Sequence, residues 1–301
     1  MVVVDGNVNT SHLGLHYGVY EDPSVTLREV IERKASALQA IYVSQSGVRI
    51  LPSPLSGDGV DLKGLDNVIR QLEKDYDIII LDVAPGLGRE VLNALGSVDE
   101  AIVVATPDIP SVTDALKTIN FIKKVDDDID ILGVIVNRTR GEKYELSAKE
   151  IESACNIDVI TNLPEDKKVP ESIARGEPAV ILYPNSSISV SMNKLAAALI
   201  GQEYEPSGFY YVLMKSLGLI KESFIKIPTR RESRERRESQ RKEKKIIKRV
   251  EEEEEENEEA ENAEAEDVEK ISEEIKESIK ADIKKRLAMK IKEKLRERGA
   301  E

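Results

Sequence analysis

Residues 76–86, Tyr-Asp-Ile-Ile-Ile-Leu-Asp-Val-Ala-Pro-Gly, constrain this 301-residue chain more than any other stretch. A short unbroken apolar run bounded by turn residues reads as a strand buried on both faces. Such strands belong to parallel sheets covered by helices. The run stops at Asp82 and then at Pro85-Gly86, so the carboxylate emerges at the strand's C-terminal end. In open α/β sheets that end is where ligands bind, and a carboxylate there suits Mg²⁺ held against a nucleotide phosphate.

Strand-like and helix-like runs alternate up to about residue 201. Val2-Val3-Val4-Asp5 opens the chain as a buried strand. Residues 27–40 read as a helix, with Leu27, Val30, Ile31, Ala35 and Leu38 at helical spacing, followed by a short strand over 48–51. A helix over 62–72 carries Leu65, Val68, Ile69 and Leu72 on one face, and 78–81 is the strand that ends at Asp82. Further strands are expected over 101–105, 131–136 and 158–160. Helices are expected over 91–95, 111–124, 147–154 and 187–200, with another short one ending at Ile173-Ala174-Arg175-Gly176. Strands separated by helices predict an α/β fold, a doubly wound and mostly parallel sheet with right-handed crossovers.

Composition separates this region from the C-terminal third. Hydrophobic residues make up 40% of the chain and charged residues 34%, but beyond Pro228 the sequence is almost entirely Arg, Lys, Glu and small polar residues. The lone cysteine, Cys155, excludes an internal disulfide and a CxxC metal or iron–sulfur site within one chain. It reads as a small buried hydrophobe in a reducing cytoplasm. No secretory signal and no apolar run of about 20 residues is present. A net charge of −13 disfavours general nucleic-acid binding while leaving room for a local basic block. His12 and His16 are not expected to hold a metal, and Tyr17 and Tyr20 read as packing groups.

Taken in order, several short motifs resemble the MinD/ParA family of P-loop ATPases, its archaeal members in particular. Residues 4–15, Val-Asp-Gly-Asn-Val-Asn-Thr-Ser-His-Leu-Gly-Leu, resemble the motif after the family's second strand, and residues 77–86 its Walker B strand and second switch. Residues 105–111, Ala-Thr-Pro-Asp-Ile-Pro-Ser, resemble the next strand-end loop, and Gly133-Val134-Ile135-Val136-Asn137-Arg138 the adenine-reading strand. Leu163-Pro164-Glu165-Asp166 and Val169-Pro170-Glu171-Ser172 resemble the loop over the base.

The resemblance implies ATP and Mg²⁺ as cofactors. It places Asp82 on Mg²⁺ through water, Gly86 against the γ-phosphate, and Asn137, Arg138, Pro164, Glu165 and Asp166 around the base. Asp5 adds acidic character near the metal. Asn7 stands where the family has an acidic residue that positions the attacking water, so it orients water without acting as a base. The family's P-loop strand and helix should precede residue 2, yet this sequence starts at that strand and contains no Gly-Lys pair. Its loss removes the phosphate cradle, so ATP binding by these residues alone is expected to be weak or nil. It also exposes two strand edges and an apolar groove. Two explanations stand: Met1 is an internal start, or the chain is a degenerate relative that has lost hydrolysis or is completed by another polypeptide.

The C-terminal third supplies a second set of expectations. Over residues 208–227, Phe209, Leu213, Leu217, Ile220, Phe224 and Ile227 share one helical face, opposite Lys215, Glu222 and Lys226. Such a helix either lies in an anionic membrane surface, as the C-terminal anchors of MinD-type proteins do, or docks on the core. Residues 230–249 are mostly basic and 251–266 mostly acidic; the basic block favours anionic lipid or nucleic acid. An apolar stripe at Val268, Ile271, Ile275, Ile279, Ile283, Leu287, Ile291 and Leu295 reads as one long helix that seeks a partner.

The expected organisation is an N-terminally incomplete ATPase domain over 1–201, a linker and amphipathic helix over 202–228, a charged linker over 229–266, and a long helix over 267–298. The leading expectation is a homodimerising ATPase switch for cell-division positioning or partitioning, cytoplasmic and peripheral on the membrane or nucleoid. The alternative is a non-hydrolysing scaffold acting through its C-terminal helices.

Overall fold

Five consecutive buried residues, Val2–Gly6, form strand β1, and its neighbours follow from the requirement that a strand buried on both faces be hydrogen-bonded along both edges. β3 (Arg49–Leu51) lies parallel on one side, with Val3 opposite Ile50. β4 (Ile79–Val83) lies parallel on the other, with Val4 opposite Leu81 and Asp5 opposite Asp82. A two-residue strand, β2 (Tyr42–Val43), pairs antiparallel with β3 and ends the order β2-β3-β1-β4. A second, wholly parallel sheet runs β5-β6-β7 (Glu100–Ala105, Asp130–Thr139, Val159–Pro164). This computed structural model describes residues 1–20, 23–55, 60–126, 128–206, 216 and 224–228. They fall within one unit, Met1–Ser239; the second, Gln240–Glu301, lies outside the described residues.

The α/β class and the mostly parallel sheet agree with the sequence-based expectation, and so do most elements. α3 (Leu65–Leu72) buries the four residues assigned to its apolar face. α4 (Arg89–Leu95), α5 (Ile109–Val125), α6 (Ala148–Cys155), α7 (Lys168–Arg175) and α9 (Ser187–Leu199) lie where helices were expected. Two single-turn helices, α1 (Leu13–His16) and α8 (Ala179–Leu182), are additional.

The helix expected over 27–40 is a correction. α2 covers only Leu27–Ile31, Arg33 takes a left-handed φ of 59°, and a separate 3₁₀ turn spans Ala37–Ala40. Ser36 starts that turn with its own capping box to Gln39, so a second helix start sits inside the periodic run and breaks it. β2 was also unforeseen, since two exposed residues carry no periodic signal.

Three apolar clusters follow the division of the sheet. One gathers Val2, Val4, Leu27, Leu51, Leu65, Val68, Leu72 and α4's Ala94. The second joins α4's Val91 and Leu95 to Val103, Ala105, Ile119, Val134 and Ile151. α4 therefore packs on both half-sheets. The third cluster lies under α9, through Leu132, Ile160, Leu163, Ile188 and Leu195.

Residues 224–228 are not helical, so the amphipathic helix expected to reach Ile227 ends before Phe224. Here the Lys226 N–H donates to the Ile160 carbonyl at 2.8 Å. Lys226 Nζ meets Asp158 at 2.6 Å, and Ile225 and Ile227 pack on the cluster under α9. Phe224 remains 45% exposed. The other proposed membrane residues, Phe209, Leu213, Leu217 and Ile220, lie outside the described residues, as do the segments 229–266 and 267–298.

Candidate nucleotide site

Asp5 is fully buried at the C-terminal end of β1, and the register of β1 with β4 places it directly beside Asp82. A buried carboxylate needs hydrogen-bond donors, and the loop after β1 supplies them. Ser11 Oγ donates to Asp5 Oδ2 at 2.7 Å, and the Asn7 N–H donates to Oδ1 at 3.1 Å. From the end of β3, Ser53 Oγ donates to the Asp5 carbonyl at 2.7 Å, and Ser11 Oγ also lies 3.2 Å from the Ser53 carbonyl. Thr10 Oγ1 donates to Asn7 Oδ1 at 2.9 Å, which fixes the Asn7 amide at the rim.

Burial pushes the Asp5 carboxyl above the ordinary range; its hydrogen bonds from Ser11 and Asn7 oppose that, and the charge of Asp82 adds to it. Asp82 is likewise raised by lost hydration, with His16 opposing. Tyr17 is pushed up, first by burial and then by Asp82, so the end of α1 stands over the β4 carboxylate. Gly86, in the loop after β4, has a φ of +105° and open space where a Cβ would lie, so its backbone is accessible to a ligand.

A second group lies at the C-terminal ends of β6 and β7. Asn137 Oδ1 accepts from the Arg138 N–H at 2.9 Å, with Arg138 at a left-handed φ of 59°. The Glu165 N–H donates to the Thr139 carbonyl at 3.0 Å, prolonging the β6–β7 pairing past Pro164. Glu165 holds the Arg140 guanidinium through both carboxylate oxygens and lies 3.8 Å from Arg138. The hydrogen bond from Arg140 keeps the Glu165 carboxyl below its ordinary value. Asp166 caps the start of α7 by accepting from the Lys168 N–H at 2.9 Å. On β7, Thr161 Oγ1 and Asn162 Oδ1 are buried without a hydrogen-bond partner among the described residues.

The structure thus gathers Asp5, Asn7, Asp82 and Gly86 at the end of one half-sheet. It gathers Asn137, Arg138, Pro164, Glu165 and Asp166 at the end of the other. Sequence reasoning missed Ser53 and gave Ser11 no role. Both are small hydroxyl residues just past strand ends, a signal too common to single them out without the fold.

Two in-register carboxylates with raised affinity for protons form a site that favours a cation. Among the described residues no group of three or more His, Cys, Asp or Glu is arranged to hold a metal. Mg²⁺ fits that donor set, since it binds proteins through one or two carboxylates and fills its other positions with water and phosphate oxygens.

A family profile described as ParA, NUBPL iron-transfer P-loop NTPase, matches residues 63–200. A protein of Methanocaldococcus jannaschii named as an uncharacterized ATP-binding protein is 37% identical over 208 residues, which span 68% of this chain and 78% of that one. The chain belongs to the ParA/MinD family of P-loop NTPases. The septum site-determining protein MinD of Synechocystis is 27% identical over 67% of this chain and 79% of its own. Among solved structures, MinD of Pyrococcus horikoshii, complexed with Mg-ADP, superposes with a TM-score of 0.61 at 30% identity, covering 66% of this chain and 83% of that one. ParA/MinD relatives therefore include cell-division proteins, and a nucleotide with Mg²⁺ is bound in the Pyrococcus structure. The profile's mention of iron transfer finds no cysteine site within this chain, because its single cysteine is buried under α5, with Sγ 4.0 Å from the Val112 carbonyl.

Proposed function

We propose that this protein is a nucleotide-dependent switch of the MinD/ParA type, in which Mg-ATP promotes homodimerisation and hydrolysis reverses it, at a membrane or nucleoid surface. The observation that carries the reading is the register of β1 on β4, which sets Asp5 and Asp82 side by side at the strand ends of a ParA/MinD domain. Asp82 would hold Mg²⁺ through water, and the bound ion would neutralise charge on the phosphates. Asp5 is the inner carboxylate, oriented by Ser11 and Asn7, and it keeps Asp82's surroundings acidic. Asn7, itself held by Thr10, presents an amide that orients water without taking its proton. The backbone at Gly86 receives phosphate. Asn137 reads the edge of the base, with Arg138, Pro164, Glu165 and Asp166 forming the wall beside it.

The test is calorimetric titration of Mg-ATP, with light scattering to follow dimerisation, together with the genomic sequence before Met1. Binding with dimerisation, lost in Asp82→Ala, is expected when an in-frame Gly-Lys-Thr/Ser segment is included. Absence of that motif, together with no binding to the 301-residue chain, refutes the ATPase reading. One observation favours a second reading, a non-hydrolysing scaffold: the chain contains no Gly-Lys pair, and Asn7 replaces an acid. The scaffold would act through residues 208–227, on an anionic membrane, and through 267–298, on a partner helix. Vesicle flotation at low and high salt, with and without residues 208–249, tests the membrane arm; no association in any condition removes it.

A further inference from the structure

The two outer edges of the half-sheets are protected and the two inner edges are not. At the far side of one, β2 is only two residues long. At the far side of the other, residues 224–228 cover β7 through the bond from Lys226 to Ile160. Short or covered edges are the usual protection against unwanted strand pairing. The inner edges belong to β4, Ile-Ile-Leu-Asp-Val, and β5, Glu-Ala-Ile-Val-Val-Ala. Neither contains a lysine or proline, and neither pairs with a further strand among the described residues.

α4 places these edges on either side of one space, because its Ala94 packs on the first half-sheet and its Val91 and Leu95 on the second. One inserted strand would set β4 and β5 about 9.6 Å apart, two strand spacings, close to the roughly 10 Å width of the helix above them. The face away from α4 is open as well. Ile79 and Leu81 point into the first cluster, which leaves Ile78 and Ile80 on the opposite face at 39% and 47% exposure. Val103 and Ala105 point into the second cluster, which leaves Val104 at 59% exposure on the opposite face.

We infer that the space between β4 and β5 is a slot that takes up, in trans, one apolar β-strand running parallel to both, with a helix trailing from that strand to cover Ile80 and Val104. The occupant's chemistry follows from the slot. It needs main-chain donors and acceptors along both edges, five or six β-branched residues without proline, and an apolar helical stripe. Uptake joins the half-sheets into one continuous sheet and merges their cores. This rests on strand topology, not on nucleotide binding.

The experiment measures amide hydrogen exchange on the 301-residue chain, alone and with a synthetic peptide, acetyl-KKVIVVVVKK-amide. A control peptide carries proline at its second and fourth apolar positions. In the free chain, amides of β4 and β5 are expected to exchange at least tenfold faster than those of β1 and β6. The valine-rich peptide should slow them at least tenfold, and the control should not. A nitroxide at the peptide's C-terminus should broaden resonances near Asp82 and Ala105. The inference is overturned if β4 and β5 are already as protected as β1, if the peptide protects neither, or if broadening occurs at Ile79 and Glu100. Mg-ATP titration of the peptide-filled chain is a separate readout. A filled slot without nucleotide binding leaves this inference standing and counts against the nucleotide reading alone.

Discussion

Gly133→Ala tests how tightly the second half-sheet is built. Gly133 lies inside β6 with a φ of +146°, a conformation that side chains rarely adopt. A Cβ there would come within 2.5 Å of the Asp158 carbonyl oxygen and 2.9 Å of Ile160 Cγ1. The first contact is with backbone, so no rotamer change relieves it, and the β6–β7 pairing must open. The backbone strain costs about 1–3 kcal/mol. Forcing an extra carbon into a packed site costs about 1–3 kcal/mol more. We expect a loss of about 4 kcal/mol, against a total stability of roughly 5–15 kcal/mol for a domain of ordinary size. With a urea m-value near 2 kcal/mol/M, the unfolding midpoint should fall by about 2 M. Equilibrium urea denaturation followed by circular dichroism measures it. A midpoint shift below about 0.5 M would show that β6 and β7 are not held this closely, and the reasoning fails.

Asp5→Asn should stabilise the protein at pH 7 while weakening any Mg-nucleotide binding. The wild-type carboxyl titrates higher folded than unfolded, so the wild type loses stability as pH rises from the unfolded carboxylate range through the folded value. The variant lacks that loss and matches the wild type near pH 3; denaturation across pH 3–8 checks this, and a less stable variant at pH 7 contradicts it. Cys155 is buried and its thiol is pushed up by burial, so Ellman's reagent should label native protein far more slowly than urea-unfolded protein; equal rates would place the thiol at the surface. Ser147→Ala should cost about 1 kcal/mol in denaturation, because Ser147 Oγ caps the Glu150 N–H and the Glu150 carboxylate accepts from the Ser147 N–H at 2.8 Å. No change would mean that α6 does not depend on its capping box.

Local patterns were legible where they repeat. The apolar face of α3, the strand ending at Asp82 and the glycine stop of α7 were all readable from spacing and residue type. The break after α2 was not, because Ala35 and Leu38 preserve helical spacing across it while Ser36 and Gln39 start a new turn. At the site, Asp5 and Asp82 were readable as strand-end acids, but their neighbours Ser11 and Ser53 come from loops with no periodicity. Residues 224–228 fitted a helical face by spacing alone, but packing and the bond to Ile160 hold them extended along β7.

The sequence by itself determined the α/β class, the order of most elements, the family resemblance and the residues that end each strand. These depend on hydrophobic period and on local turn chemistry, both carried by neighbouring residues. Only the tertiary structure decided which strand lies beside which, that Asp5 is buried against Asp82, and that β4 and β5 are left as open edges of two half-sheets. Those are contacts between residues far apart in the chain, and their energies depend on burial and register, which no local pattern encodes.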